Sequence, residues 1–182
     1  MLEKRVSFRY ARALLDTASE KGLAAEVFKD IQKVRATLEI SKELRSLTES
    51  PVFQLWKKKQ IYKAIFTEEK ISDLTMNFLI LLIDKRRGEL IISIIRQYEM
   101  QYNLLNNRLE ADIISALELN DELKKQVIDK LHNWTKKTIL PTFIVDEKIK
   151  GGLLVRIDDW VFDASVKHQL DTLFKKLSEG ID

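Results

Sequence analysis

The sequence GGLLVRIDDWVFDASV occupies residues 151–166 and decides the fold of the second half of the chain. Residues 153–157 are apolar except for Arg156 and partly β-branched, which predicts a strand, and residues 160–162 predict its partner. Asp158 and Asp159 lie between these runs and are typical turn residues. Ser165 is a suitable N-cap for a closing helix. The stretch therefore predicts a β-hairpin followed at once by a helix.

Gly151 and Gly152 raise the question of a phosphate-binding loop. Such a loop needs closely spaced glycines followed by Lys and Ser or Thr, which are missing here, so a turn or bulge before the strand is favoured. The aspartates also lack the alternating carboxylates, mid-loop glycine and distal glutamate of a calcium loop. We therefore interpret Asp159 as a turn residue and expect Asp163 to help cap the last helix. Gly151, Gly152, Asp159, Asp163 and Ser165 form a structural motif in this interpretation.

The sequence before this hairpin predicts the rest of a small mixed domain. Residues 109–116 alternate as a strand does, and Asn120 with Asp121 can cap a helix that runs to about residue 137. Pro141 is expected to open another strand at residues 142–146. Apolar stripes are predicted on both helices of the domain: Val127, Ile128, Leu131 and Trp134 on the first, and Val166, Leu170, Leu173, Phe174 and Leu177 on the closing one.

The first half of the chain shows helical periodicity throughout. Apolar residues recur every three or four positions, and glycine and proline are scarce. The predicted helices cover residues 3–20, 23–39, 41–47, 54–66, 71–85 and 89–106, the last with Leu105 on its inner face. Short loops between them predict antiparallel neighbours. The expected fold class is α+β: an N-terminal six-helix antiparallel bundle over residues 1–105, followed by a small mixed α/β C-terminal domain over residues 106–182, with Asn106-Asn107 as the turn between them.

The charge differs between these two parts. The whole chain has a net charge of +3, but residues 1–105 carry +5 and residues 106–182 carry −2. This asymmetry suggests two modules with different partners. The strongest basic runs are Lys57-Lys58-Lys59 and Lys85-Arg86-Arg87. A solvated helix face and a helix C-terminus explain them, although a nucleic-acid-binding helical module remains the alternative.

Catalytic and metal chemistry find little support in the residue types. The chain has no cysteine, and its two histidines, His132 and His168, lack further ligands at suitable spacing. No nucleophile–base pair stands out either. The longest apolar run, residues 78–83, is far shorter than the roughly 20 residues that span a bilayer. We therefore expect a binding protein without enzymatic activity, cofactor, metal or membrane insertion.

The first helix suggests one binding surface. Val6, Tyr10, Ala13, Leu14 and Thr17 share a face, while Phe8, Ala11, Leu15 and Ala18 form a second apolar stripe. A peripheral helix of a bundle needs only one such stripe. Small alanines would let another helix approach closely, so a partner helix in a groove is as plausible as a purely structural role.

Four segments together resemble one known family. They are FRYARAL at residues 8–14, NFLILLIDKRR at residues 77–87, DIISA at residues 112–116, and the hairpin sequence at residues 151–166. The chain resembles the delta subunit of bacterial and chloroplast F-type ATP synthase, the equivalent of the mitochondrial oligomycin-sensitivity-conferring protein. The resemblance covers essentially the whole chain. The family usually has Gly where Asp158 stands, and often Ile where Phe162 stands.

The resemblance implies the partners and the location. The helical domain would bind the N-terminal helices of alpha subunits on the catalytic headpiece, and the second domain the C-terminal helices of the b subunits. One copy per complex would serve as a peripheral-stalk, or stator, subunit at the cytoplasmic face of the bacterial plasma membrane, with no nucleic acid bound. On the family pattern, the alpha helix lies across helices one and five, on Tyr10, Ala13 and Leu14 and on Phe78, Leu81 and Leu82.

Overall fold

The computed structural model describes residues 2–50, 52–157 and 160–170, and its first part is helical. A helix is present at each of the six predicted positions. The helices are α1 (Leu2–Glu20), α2 (Ala24–Ile40), α3 (Lys42–Glu49), α4 (Leu55–Glu68), α5 (Asp73–Asp84) and α6 (Ile91–Leu105), with a short 3-10 turn at Gly88–Leu90 before α6.

Local sequence signals set the ends of these helices. Gly22 has a left-handed φ of +70° after α1, and the N–H of Leu23 donates to the carbonyl of Ala18, which is the Schellman arrangement. Ser41 caps α3 by accepting from the N–H of Leu44, and Ser72 caps α5 by accepting from that of Thr75. The helix boundaries thus follow from residue types that satisfy the unpaired N–H and C=O groups at helix ends.

The chain forms two compact units, one up to Tyr102 and one from Asn103. The sequence had placed the division three residues later, at the end of α6. The first unit has one apolar core to which all six helices contribute. On α2 the predicted inward residues Val27, Ile31, Val34 and Leu38 are all buried. Leu105 was predicted to face inward on α6 but is exposed, because the helix continues past the core of the first unit.

The second unit contains a four-stranded sheet and a crossing helix. The strands are β1 (Arg108–Ser115), β2 (Thr138–Val145), β3 (Gly152–Ile157) and β4 (Trp160–Ser165), and α7 (Asp121–Thr135) connects the first two. The sheet order is β2-β1-β3-β4, with β1 and β2 parallel and the other pairs antiparallel. Its core comprises Ala111, Ile113, Ile139, Val155 and Ile157, against which Val127, Ile128 and Leu131 of α7 pack. The α+β class is therefore confirmed.

Two predictions for this unit were wrong. Strand β2 begins at Thr138, so Pro141 lies inside the strand instead of opening it. Proline is tolerated there because β2 is an edge strand, where a missing N–H breaks no ladder on the outer side. Trp134 does not join the half-buried stripe of α7 that packs on the core. Its side chain is exposed, and its ring meets Phe162 edge-on at a centroid distance of 4.8 Å.

The predicted β3–β4 hairpin is confirmed, and residues 166–170 start the predicted closing helix. The Oγ of Ser165 accepts from the N–H of His168 at 3.2 Å, which confirms the N-cap. The Asp158-Asp159 turn lies outside the described residues. So do Leu173, Phe174 and Leu177 of the apolar stripe predicted for this helix.

Candidate partner-binding site

Helix α1 presents three kinds of position to its surroundings. Four of its residues are buried in the core, namely Ala11, Leu14, Leu15 and Ala18. Phe8 was also predicted to belong to the second apolar stripe but is exposed. Val6, Tyr10 and Thr17 are half-buried, and Ala13 is exposed. The half-buried positions and Ala13 recur at three- and four-residue spacing, so they form one continuous strip along the helix. This strip has apolar character and a small residue at its centre, which suits close approach by another helix.

Helix α5 also divides into a core face and an accessible face. Phe78, Leu79, Leu82 and Ile83 are buried, whereas Leu81 is 44% exposed. Leu74 is half-buried and Asn77 is exposed, and both lie on the same side as Leu81 at helical spacing. Helix α2 contacts both α1 and α5, so α1 and α5 pack against the same neighbouring helix.

The six residues predicted to bind a partner thus separate into two groups. Leu14 and Leu82 are completely enclosed in the core, and Phe78 nearly so. Tyr10, Ala13 and Leu81 reach solvent and can contact a second molecule without any rearrangement. The sequence pattern missed their accessible neighbours Leu74 and Asn77, although the spacing of these residues from Leu81 could have indicated them.

A buried carboxylate fixes the start of α5. Asp30 of α2 is only 3% exposed, and its Oδ2 accepts hydrogen bonds from three donors at the N-terminus of α5. These are the N–H of Ser72 at 2.8 Å, the Oγ of Ser72 at 2.6 Å and the Oγ1 of Thr75 at 2.9 Å. A negative charge at this position also interacts favourably with the helix dipole. Asp30 therefore holds the helix that carries Leu81 in a fixed position relative to α2.

Buried tyrosines complete the packing of the first unit. The hydroxyl of Tyr98 donates to the carbonyl of Ala24 at 3.3 Å. Burial raises the pKa of Tyr98 well above its usual range, and the neighbouring Tyr102 and Asp30 raise it further. Burial also raises the pKa of Tyr62 to about 12, against the opposing effect of its hydrogen bond to Thr48. Both groups are neutral at ordinary pH and serve to order the core.

The glycine pair in the second unit has a structural explanation. Gly152 has a φ of +76°, and a Cβ at this position would collide with the carbonyl oxygen of Ala164 on β4. The N–H of Val166 donates to the carbonyl of Gly151 at 3.0 Å. Asp163 accepts from the backbone N–H of Ser165, and hydrogen bonds from Ser165 lower the pKa of this exposed carboxyl. The motif therefore joins β3, β4 and the following helix at close range.

The basic runs and the histidines offer no catalytic arrangement. Lys58 was interpreted as part of a solvated face, and this was wrong. It is only 7% exposed, and its Nζ donates to the carbonyls of Thr48 and Ser50 at the end of α3. Burial lowers its pKa. The signal was its four-residue spacing from Tyr62 on the inner stripe of α4. His132 and His168 are exposed, and no cluster of metal-ligating side chains occurs among the described residues.

Comparison with known proteins gives a consistent result. The sequence profile of the ATP synthase delta (OSCP) subunit family matches residues 6–177. The chain is 34% identical over 175 residues to ATP synthase subunit delta of Chloroherpeton thalassium, covering 96% of this chain and 95% of the relative. It is 33% identical over 177 residues to that of Desulforamulus reducens, covering 97% of each.

A solved structure agrees at the level of the fold. It is a chain of the cryo-EM structure of the Toxoplasma gondii mitochondrial ATP synthase hexamer, with a TM-score of 0.80 and 21% sequence identity over 94% of this chain and 96% of that one. In the part of the chain that the structure describes, no helix has the length and apolarity to cross a membrane.

Proposed function

This chain belongs to the ATP synthase delta (OSCP) subunit family, and from that membership we propose that it is a peripheral-stalk, or stator, subunit of an F-type ATP synthase. It would link the catalytic headpiece to the membrane-anchored b subunits, so that ion-driven rotation is coupled to ATP synthesis. The single observation that carries this proposal is the match to delta subunits along nearly the whole chain. The subunit would be non-catalytic and would lie at the cytoplasmic face of a bacterial plasma membrane as part of the complex.

We infer that the first unit binds the N-terminal helix of an alpha subunit. The short connections between its six helices favour an antiparallel bundle. The support for the binding site is the accessible strip on α1, centred on Ala13, together with the exposed Leu81 on α5. An amphipathic helix docks into a hydrophobic groove through residues spaced three and four apart, which is the spacing that both strips offer. Tyr10 would supply a half-buried aromatic contact beside them.

The second unit would bind the C-terminal helices of the b subunits. Strand β4 lies at the edge of the sheet, and Trp160 and Val161 on it are exposed. Exposed aromatic and aliphatic side chains on an edge strand are typical of surfaces that another chain covers. The net charge of −2 over residues 106–182, against +5 before them, supports a separate partner for this unit.

The mechanism of such a subunit is mechanical. Rotation inside the headpiece tends to drag the headpiece along, and the stator must hold it still over many turnovers. Slow dissociation therefore matters more than fast association. A nanomolar joint corresponds to about 12 kcal/mol, and a few well-buried anchor residues can supply most of that free energy.

Calorimetric titration of the full chain tests this proposal. The ligand is a peptide of about 20 residues, roughly 30 Å of helix, from the N-terminus of the alpha subunit of the same organism. We expect saturable one-to-one binding that Ala13→Asp weakens at least a hundredfold, since the substitution buries a charge in the joint. Ala36→Asp on α2 is the matched control, because Ala36 is equally an exposed helical alanine and lies outside the proposed strips.

Two results would contradict the site. Equal loss of affinity in both alanine variants would indicate a general charge effect. Loss of helical circular dichroism in Ala13→Asp would show that Ala13 is required for folding. If the peptide fails to bind the folded wild-type chain at all, the stator proposal loses its main mechanistic support.

A further inference from the structure

The loop before α4 and the first turn of α4 expose three large apolar side chains within five residues. Val52 is 86% exposed, Phe53 is 47% exposed and Trp56 is 58% exposed. Contiguous exposed apolar groups of this size on a folded domain usually mark an interaction site. None of these residues lies on the α1 or α5 strips, and the proposed function assigns them no role. Val52 and Phe53 line one cavity and Trp56 lines its neighbour, with Gln54 and Leu55 shared between the two. We call these three apolar residues, together with the exposed Lys57 and Lys63 on α4, the Trp56 surface.

The side chain of Trp56 is held in place although it is exposed. Its indole N–H donates to Oε1 of Gln54 at 2.6 Å, and Nζ of Lys57 lies 5.6 Å from the centre of its ring system. An ordered aromatic ring loses little conformational freedom when a partner covers it, which favours binding. Tryptophan is also the residue type most enriched among those that dominate binding energy at interfaces. The ring is therefore prepared to act as an anchor.

An open cleft of about 740 Å³ continues from Trp56 along α4. Its lining includes the apolar Leu55, the basic Lys59 and Lys63, and Asp84 of α5. Nζ of Lys59 forms an ion pair with Oδ1 of Asp84 at 2.5 Å. This pair links α4 to the C-terminus of α5, so the cleft is lined by two helices that already pack together.

The charges around the cleft select the chemistry of the partner. Helix α4 carries four lysines and one glutamate, and Lys57 and Lys63 are exposed beside the apolar residues. A peptide with carboxylates flanking an apolar stripe matches this pattern, because its apolar side chains would cover Trp56 and Phe53 while its acids face the lysines. A nucleic acid fits less well. Asp84 places a carboxylate in the lining of the cleft and pairs with Lys59. The aliphatic Val52 can neither stack on a base nor hydrogen-bond to it.

We propose that the Trp56 surface is a second docking site of this protein and binds an acidic amphipathic helical segment of a partner protein. It is separate from the α1 and α5 strips in its residues, its charge and its anchor. In this complex, the apolar stripe of the segment packs on Trp56 and Phe53. Carboxylates of the segment then pair with Lys57 and Lys63, which are roughly 9 Å apart along the axis of α4, and this pairing raises the association rate and fixes the orientation.

The test uses the full chain and a synthetic helical peptide of about 16 residues, which makes between four and five turns. The peptide has leucines spaced alternately three and four residues apart, so that they form one stripe, and glutamates at the positions that flank the stripe. A fluorescent label allows titration by anisotropy. We expect saturable binding that Trp56→Ala weakens at least tenfold. Trp134→Ala is the matched control, since Trp134 is also 58% exposed but lies in the second unit, and this variant should bind as the wild type does.

Further variants test whether charge contributes to binding and whether the Trp56 surface is independent of the α1 strip. Lys57→Glu should weaken binding severalfold without touching the core, and a peptide with lysines in place of the glutamates should not bind. Ala13→Asp should retain full affinity for the acidic peptide, whatever becomes of the alpha-subunit titration. Equal affinity of wild type and Trp56→Ala would overturn the proposal. So would preference for a labelled single-stranded oligonucleotide over the peptide, which would assign the surface to nucleic acid.

Discussion

Replacing Asp30 tests the account of how α5 is positioned. Asp30 is buried, and one of its oxygens accepts from the N–H and Oγ of Ser72 and from Oγ1 of Thr75. Asp30→Ala removes the acceptor and leaves these donors without a partner away from water. The change therefore affects the start of α5, the helix that carries the accessible Leu81.

The magnitude follows from the contacts. A buried donor that loses its acceptor costs about 1–3 kcal/mol, and loss of the negative charge at a helix N-terminus adds roughly 0.3–1 kcal/mol. The hydroxyls of Ser72 and Thr75 lie 3.0 Å apart and can still hydrogen-bond to each other, which partly compensates for the acceptor that one of these donors loses. The sum is roughly 3 kcal/mol. Asp30→Asn keeps an acceptor oxygen but loses the charge, so it should cost about half as much.

Urea denaturation followed by far-UV circular dichroism gives the free energy of unfolding of both variants, and thermal denaturation followed in the same way gives their Tm. For a unit of about 100 residues, roughly 3 kcal/mol corresponds to a fall in Tm of roughly 12–24 °C for Asp30→Ala. Asp16→Ala is the control, because the Asp16–Arg12 pair on α1 is more than half exposed on both sides and surface pairs contribute about 0–1 kcal/mol.

If Asp30→Ala lowers the free energy of unfolding by less than about 1 kcal/mol, water or a shifted side chain replaces the carboxylate and the α2–α5 link is not important for stability. A double-mutant cycle with Thr75→Val gives a second check. The combined loss should be smaller than the sum of the single losses, since both remove the same buried hydrogen bond.

Two other predictions concern the glycine motif and the buried tyrosines. Gly152→Ala should lower the free energy of unfolding of the second unit by roughly 2–4 kcal/mol, because the left-handed φ costs an L-residue about 1–2 kcal/mol and the added Cβ would collide with Ala164. Gly22 has a similar φ but open space around it, so Gly22→Ala is the control and should cost only about 1 kcal/mol. Thermal melts measure both variants. Because burial raises the pKa of Tyr62 to about 12 in the folded chain, from 10.0 for an unperturbed tyrosine, the unfolded chain ionises first. The stabilisation is therefore present below pH 10 and is lost as pH rises to 12. Urea unfolding at pH about 8 and about 11 should show the wild type losing roughly 1 kcal/mol more than Tyr62→Phe, and parallel losses in the two proteins would exclude this linkage.

Much of the secondary structure could be predicted because its signals are local. Gly22, Ser41 and Ser165 act within one turn of their own positions, so their residue types alone indicate where helices begin or end. The β3–β4 hairpin is equally local. Pro141 shows the limit, since whether a strand tolerates proline depends on its place in the sheet, and no local pattern gives the order β2-β1-β3-β4.

The candidate site could be predicted only as a set of helix faces. Periodicity grouped Ala13 with Leu14, and the family resemblance grouped Leu81 with Leu82, although in each pair one residue is exposed and the other buried. Adjacent residues on a helix are about 100° apart, so a broad apolar face can turn partly to the core and partly to solvent. The Trp56 surface escaped prediction because an apolar residue in a sequence is normally expected inside.

The sequence by itself determined the helices and strands of this protein, their caps and its family, because each depends on neighbouring residues or on the ordered set of motifs. Only the tertiary structure decided which residues of a broad apolar face lie in the core and which of them reach solvent. It also placed Lys58 against the end of α3, where two carbonyls accept from its buried ammonium group. Burial results from contacts between residues far apart in the chain, and local periodicity indicates an apolar face without showing how much of that face those contacts cover.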